Sequence, residues 1–520
     1  MSVRARLMSF GLAFALVAPA LLALAPAHAG NVTVGCAGLQ PAFDNSNPGD
    51  RITLNRMCTG MHFDLPSHRI IFQGKAGVVA GLDATGLSGE PLNGQDVRAT
   101  VIRNLTFRDS DAGTGAIDIF GASAPRIINC RFFRNNSNAS GSALALSQNT
   151  AIGSGIVVRD NVFGGKTLAS GNHAGSGVVH LNSIESITVQ NNLFRNNRAD
   201  DGGAIVLFSG PGARIDLSNN TFRGNRAVHR GGAVELVPNG PTLIAGNTFR
   251  GNRLEGPTLP GYGREGGALA LQLPGSPITV TQMNNVFTGN SVASHPSFAV
   301  GGAEFITSDG VATVKIKNDR FIKNRVGGAG LGGGIFNRQA DQIGTAKLTL
   351  TNTVVAGNSV GASGQGGGVF GMENCAGPCE TQWTFKNSTV AGNTVGTGGA
   401  GSQMRGQLAN TLTMLNSIGY GGGTAGAVSG FESMTISFSD VCGAGGAPTP
   451  GTGNICKKPK LKDASAGDVH ETFASPTRDK GKNSLVPASL KRDYEGNARI
   501  IDSDHNGSKR VDMGADERPA

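Results

Sequence analysis

The chain has 520 residues, 80 of them Gly, with only 5% aromatic residues and a formal charge of +9. Glycine spread evenly along the middle, with Val, Ile, Leu and Phe recurring at fixed positions, excludes both a string of separate ordinary domains and a disordered low-complexity chain. The basic balance favours acidic partners, such as uronate-bearing or phosphorylated glycans or an anionic cell surface; with no nucleic-acid-binding motif, nucleic acid is not an expected partner.

Residues 1–29 read as a secretory signal peptide. Arg4 and Arg6 precede an apolar run over residues 7–24, and Ala27-His28-Ala29 supplies the small residues of a cleavage site. Pro19 and Pro26 argue against a membrane helix, and no later apolar stretch is long enough to span a bilayer. The expected product is secreted or held at the outer cell surface, without a transmembrane segment after cleavage, and monomeric. An oxidising destination makes the near neighbours Cys36 with Cys58, Cys375 with Cys379, and Cys442 with Cys456 the candidate disulfides, with Cys375 and Cys379 alternatively a metal or redox pair. Cys130, within Ile127-Ile128-Asn129-Cys130, is left over and is expected to point into the core.

Residues 30–86 form an N-terminal cap and first rungs. Val32-Thr33-Val34 is strand-like, residues 39–43 suit one short helix, and Asn47-Pro48-Gly49-Asp50 is a turn before Arg51-Ile52-Thr53-Leu54. A helix tied down through Cys36 and Cys58 would cover the apolar end of a stack.

Residues 87–430 repeat one phrase, Phe-x-x-Asn, a variable loop, and Gly-Gly with a small and then an apolar residue. Clear copies run from Phe194 to Asn197 with Gly202-Gly203-Ala204-Ile205, and from Phe222 to Asn225 with Gly231-Gly232-Ala233-Val234. A fixed phrase with elastic spacers is the mark of a solenoid. Stacked in register at about 4.8 Å, the copies predict an internal phenylalanine column, an asparagine ladder at one turn, and Gly-Gly at another turn that resists side chains. After Gly371 Val or Ile replaces Phe, predicting a thinner filling. Residues 431–456 read as a Gly-rich, Cys-stapled linker and residues 457–520 as a C-terminal module.

Two arginine rows follow from the same register. Arg195, Arg223 and Arg250 succeed the stacked Phe, while Arg198, Arg226 and Arg253 succeed the ladder Asn. Guanidinium groups one rung apart repel unless acids interleave or an anionic ligand lies along them, so these six are the candidate binding residues. Asp200-Asp201, Glu235, Glu265 and Glu304 sit beside Gly-Gly turns and are expected on a solvated outer face, partly pairing the arginines. No catalytic residue is assigned. In the tail, Asp502, Asp504 and Asn506 with Gly507 match the opening of a Ca²⁺ loop, but Met513 stands where a bidentate Glu is wanted, so an Asx-rich turn competes with a Ca²⁺ site. No other cofactor is expected.

With these motifs in view, the repeats resemble a right-handed parallel β-helix of the pectin-lyase-like class. Phe-x-x-Asn together with Gly-Gly-Ala-[Ile/Leu/Val] is similar to the paired signature of polymorphic outer-membrane proteins, adhesin-like bacterial surface proteins. The tail, with Ser475-Pro476-Thr477-Arg478-Asp479, Asp493-Tyr494-Glu495-Gly496-Asn497 and Val511-Asp512-Met513-Gly514-Ala515-Asp516-Glu517, resembles the choice-of-anchor Q ending of bacterial β-helix proteins. The resemblance implies an all-β solenoid acting by display, adhesion or acidic-glycan binding. The alternative is a polysaccharide lyase on uronate-containing polymers, which would use carboxylates to hold Ca²⁺ and an Arg or Lys as base.

Overall fold

Each copy offers short runs with apolar residues at alternate positions, too short to stand alone and stable only when paired with the equivalent run of the next copy. The computed structural model describes residues 30–518 apart from 112, 122, 258–261, 276, 341–343, 376, 378, 422–426, 444–445 and 504. The expected signal peptide and Asp504 therefore lie outside the described residues. Among those described, three long sheets of 15, 13 and 14 strands run the length of the chain, each turn of the coil adding one strand to each, and every pairing within them is parallel. The fold is an all-β parallel β-helix. Rungs start already at Asn31–Val34, which pairs with Arg51–Leu54, and continue to Ser433–Ser437 and Asp440–Val441.

The phenylalanine column forms as predicted. From Phe107 to Phe321 successive rings stack at 4.6–5.1 Å, all fully buried, in the separation range aromatic pairs prefer. Val355 and Val390 then continue the column in register. The asparagines form two ladders. One runs through the Phe-x-x-Asn residues, where each backbone N–H and side-chain NH₂ donates to the Oδ1 of the next asparagine, as from Asn197 to Asn225 at 3.2 and 3.0 Å. The second, through Asn161, Asn192, Asn220, Asn247 and Asn285, lies at the turn before the Phe strand. Buried turn amides that would otherwise lack partners are satisfied by the neighbouring rung.

The two glycines of each pair have different duties. Gly231 holds φ +51°, which a side chain resists. A Cβ on Gly232 would lie 2.1 Å from the Gly267 carbonyl oxygen of the next rung, so the second glycine permits close stacking.

The helix Leu39–Asp44 buries Leu39 and Phe43, and Phe43 meets Phe72 edge-on at 5.2 Å. Cys36–Cys58, Cys375–Cys379 and Cys442–Cys456 are all bonded, while Cys130 is free and buried, its thiol pushed up to about 12 by burial. At the other end, the tail folds back along the outside of the sheet that carries the phenylalanines. Val469 and Ala515 pack on Val354 and Ala356, the Ala515 N–H donates to Thr389 Oγ1 at 2.9 Å, and the Lys482 N–H donates to Asn416 Oδ1 at 2.8 Å.

Candidate functional site

Both arginine rows exist in register. Arg195, Arg223 and Arg250 pair strand to strand on the outer face of the phenylalanine sheet. The same outward position then becomes Thr288, Ile322, Ala356 and Ala391, losing charge where the tail comes to lie. Arg198, Arg226 and Arg253 occupy the other side of the asparagine turn, continuing a row that begins with Asp111, Asn136 and His173. The expected interleaving by acids holds for only part of this set. Arg226 pairs with Glu255, whereas among the described residues no carboxylate is within ion-pair reach of Arg195, Arg198, Arg223, Arg250 or Arg253.

Asp111, Asn136, His173, Arg198 and Arg226 of the second row form the floor of a groove of about 880 Å³. One wall is the insertion that follows Phe163, where Leu168–Ser170 makes a single 3₁₀ turn and Leu168 and Ala169 face the groove. Glu255 and Gly256 close the far end, and Thr85 and Gly86 the near end. Three arginines line it. Arg134 grips Asp109 with two hydrogen bonds of 2.6 Å, which raise its pKa further, and Arg226 is held by Glu255. Between them Arg198 is exposed and unpaired among the described residues, next to His173 in the row. Burial first, and then the Arg198 charge, lower the pKa of His173, so its imidazole is neutral at pH 7. The groove thus offers one available guanidinium flanked by two that are paired with carboxylates, with neutral imidazole and amide groups alongside and the Asp111 carboxylate at the start of the row.

Of the acids beside the Gly-Gly turns, Asp200 is exposed as expected, but Glu235, Glu265 and Glu304 are buried, and for these the expectation of a solvated face is corrected. Ser176, Asp201, Arg230 and Glu265 stack in one row, and Glu235 lies on the adjoining strand Val234–Val237. Arg230 Nε donates to Glu265 at 3.0 Å and its NH1 lies 3.6 Å from Glu235, which also accepts from Gln272. Arg338, from a rung further on, approaches Glu265 at 3.8 Å. The side chains of Glu235 and Glu265 are each only 7% exposed. Burial, with Asp201 nearby, raises Glu235 to about 7. Glu304 is deeper still: it shares register with the core residues Leu269 and Ile335, inside the coil, and accepts from Gln282. The sequence signal for this cluster was the recurrence of acids on either side of Gly-Gly; what was missing was which rungs neighbour one another.

The remaining sequence candidates separate. Asp502 spends its carboxylate on the Asn506 and Gly507 backbone N–H groups at 3.1 and 2.9 Å, an Asx-type turn, and Met513 is fully buried. Trp383 is buried and donates to Asn410 Oδ1 at 3.1 Å, so the chain's one indole is structural.

Fold and groove together define a right-handed parallel β-helix with a lateral polar groove. A family model described as "Right handed beta helix region" matches residues 62–253, a span that contains most of the groove, including His173, Arg198 and Arg226. None of the curated proteins matches the chain.

Proposed function

We propose that this is an exported β-helix protein that binds acidic glycans, taking a short oligosaccharide segment in the groove floored by His173, Arg198 and Arg226. The single observation that carries the reading is Arg198: an exposed guanidinium without a carboxylate partner among the described residues, set in a concave channel whose other arginines are already paired. A uronate or sulfate on the ligand supplies the missing anion, and Asp111, Asn136 and His173 supply acceptors and donors for hydroxyl groups. Export is supported by the N-terminal sequence and by three disulfides, which persist in oxidising compartments. The unpaired Arg195, Arg223 and Arg250 lie around the turn and add a long-range, salt-screened attraction.

Buried carboxylates favour binding over eliminative cleavage. A lyase of that kind needs accessible carboxylates to hold Ca²⁺ against the uronate beside its Arg or Lys base, whereas Glu235 and Glu265 are covered and share Arg230. The test is retention of the mature protein on immobilised pectate, alginate, heparin and neutral dextran, with absorbance of unsaturated uronate followed in parallel. Salt-sensitive retention on an acidic polymer, cut about tenfold by Arg198→Ala and less by Arg223→Ala, is the expected result. Equal retention on dextran, or accumulation of unsaturated product, overturns it.

A further inference from the structure

The C-terminal module brings together three groups that the sequence keeps apart. His470 lies on the strand Asp468–Glu471, Glu495 in the turn after Asp493, and Asp516 near the end of the described chain. One ligand-capable atom of each lies within 4.8 Å of the other two. His470 Nε2 is 2.7 Å from Glu495 Oε2, while Nδ1 is hydrogen-bonded to Asp468. Asp516 is 3% exposed; its Oδ2 accepts the Glu471 N–H at 2.8 Å, and its Oδ1 is buried without any donor.

Four features distinguish this cluster from an ordinary surface patch of acids. Three carboxylates, those of Asp468, Glu495 and Asp516, surround a single imidazole, with Lys462 acting on Asp468 from outside the cluster. A buried carboxylate oxygen without a donor is costly unless a cation faces it. Asp468 fixes the imidazole through Nδ1, leaving Nε2 to act as a ligand, the outer-shell arrangement that holds metal-binding histidines in one tautomer. Finally, His470 and Glu495 are about one-third exposed, at 34% and 37%, which gives an ion an entry path and a position open to water.

We propose that His470, Glu495 and Asp516 form a binding site for a divalent transition-metal ion, with Asp468 as a positioning residue. One nitrogen and two carboxylate oxygens suit Zn²⁺, whose ligands at about 2.0–2.2 Å stand roughly 3.3 Å from one another in a tetrahedral site. Binding requires the side chains to close from separations of up to 4.8 Å to that value, with the proton between His470 and Glu495 released as the ion enters. The ion ties together three segments of the tail on the outside of the phenylalanine sheet. Imidazole disfavours Ca²⁺, which takes oxygen ligands, so this site is distinct in chemistry from the Asp502 turn.

The experiment is calorimetric titration of the chelator-treated full mature protein with Zn²⁺, supported by the visible absorption of bound Co²⁺. One ion per chain is expected, with affinity falling at least tenfold in both His470→Ala and Glu495→Gln, and with Asp502→Asn unchanged. The exposed Glu495→Gln variant keeps the test valid if His470→Ala misfolds. Absence of heat, or affinity unchanged in Glu495→Gln, or affinity lost in Asp502→Asn instead, overturns the site.

Discussion

The carboxyl of Asp319 accepts the backbone N–H of Asn285 at 2.8 Å, occupying the place in the second ladder that asparagine holds on the five preceding rungs. It is fully buried, and burial pushes it up to about 8; Glu304, also inside the coil, is raised to about 8 by burial and by Asp319. For an acid whose folded pKa lies above its unfolded value, the folded state holds the proton more tightly. The stabilisation is therefore complete below the unfolded carboxyl range and is lost as pH rises towards about 8. Each group contributes a slope of about 1 kcal/mol per pH unit across that window. Chemical denaturation should show the protein weakening from mildly acidic to mildly alkaline pH. Asp319→Asn should remove one proton's share of the slope and stabilise the alkaline form, because its new NH₂ meets the Gln282 carbonyl, the equivalent of the Ile244 carbonyl used by Asn285. An unchanged pH slope in Asp319→Asn contradicts this account.

Asn225 should be among the most sensitive ladder positions. Its side chain donates to the Phe194 carbonyl and to Asn252, and its Oδ1 accepts two bonds from Asn197. Asn225→Ala leaves buried donors and an acceptor unmet and should cost about 3 kcal/mol, read from the denaturation midpoint. A loss below about 1 kcal/mol would show that water replaces the amide.

Arg230→Met should destabilise by about 2 kcal/mol at neutral pH, less than a fully buried pair would, since the Arg230 side chain is 39% exposed. Because Glu235 is raised to about 7, the loss should shrink as the medium is acidified and that carboxyl is neutralised. A pH-independent loss would assign the effect to packing alone.

The phenylalanine column, the first ladder and the capping helix were legible in the sequence because each repeats or isolates one physical job. Phe fills at Phe194, Phe222 and Phe249, and Leu39 with Phe43 covers an end. Asp201, Arg230, Glu265 and Arg338 were not legible as a cluster, since they belong to different rungs and meet only through register. The groove wall at Leu168 was hidden for another reason: loop conformation carries no periodic signal. His470, Glu495 and Asp516 needed the tail's return path.

Removing Cys36–Cys58 should cost more than removing Cys375–Cys379. The two bridges close sequence separations of 22 and 4, worth about 3 and about 2 kcal/mol in chain entropy, and the first also holds the helix over the exposed end of the coil. Thermal unfolding of the paired Cys→Ser variants gives the order; a difference of only about 1 kcal/mol would mean the cap contributes nothing beyond its bridge, and equal losses would contradict the order.

Along the Phe-x-x-Asn ladder the side-chain bond stays at 2.9–3.0 Å while the sequence separation between partners varies from 25 to 38. Loop length and rung geometry are therefore independent variables. A segment such as the one carrying Leu168 can be lengthened, shortened or exchanged for that of another rung at little expense to its neighbours, so the recognition surface is free to diversify on a scaffold whose cross-section remains constant.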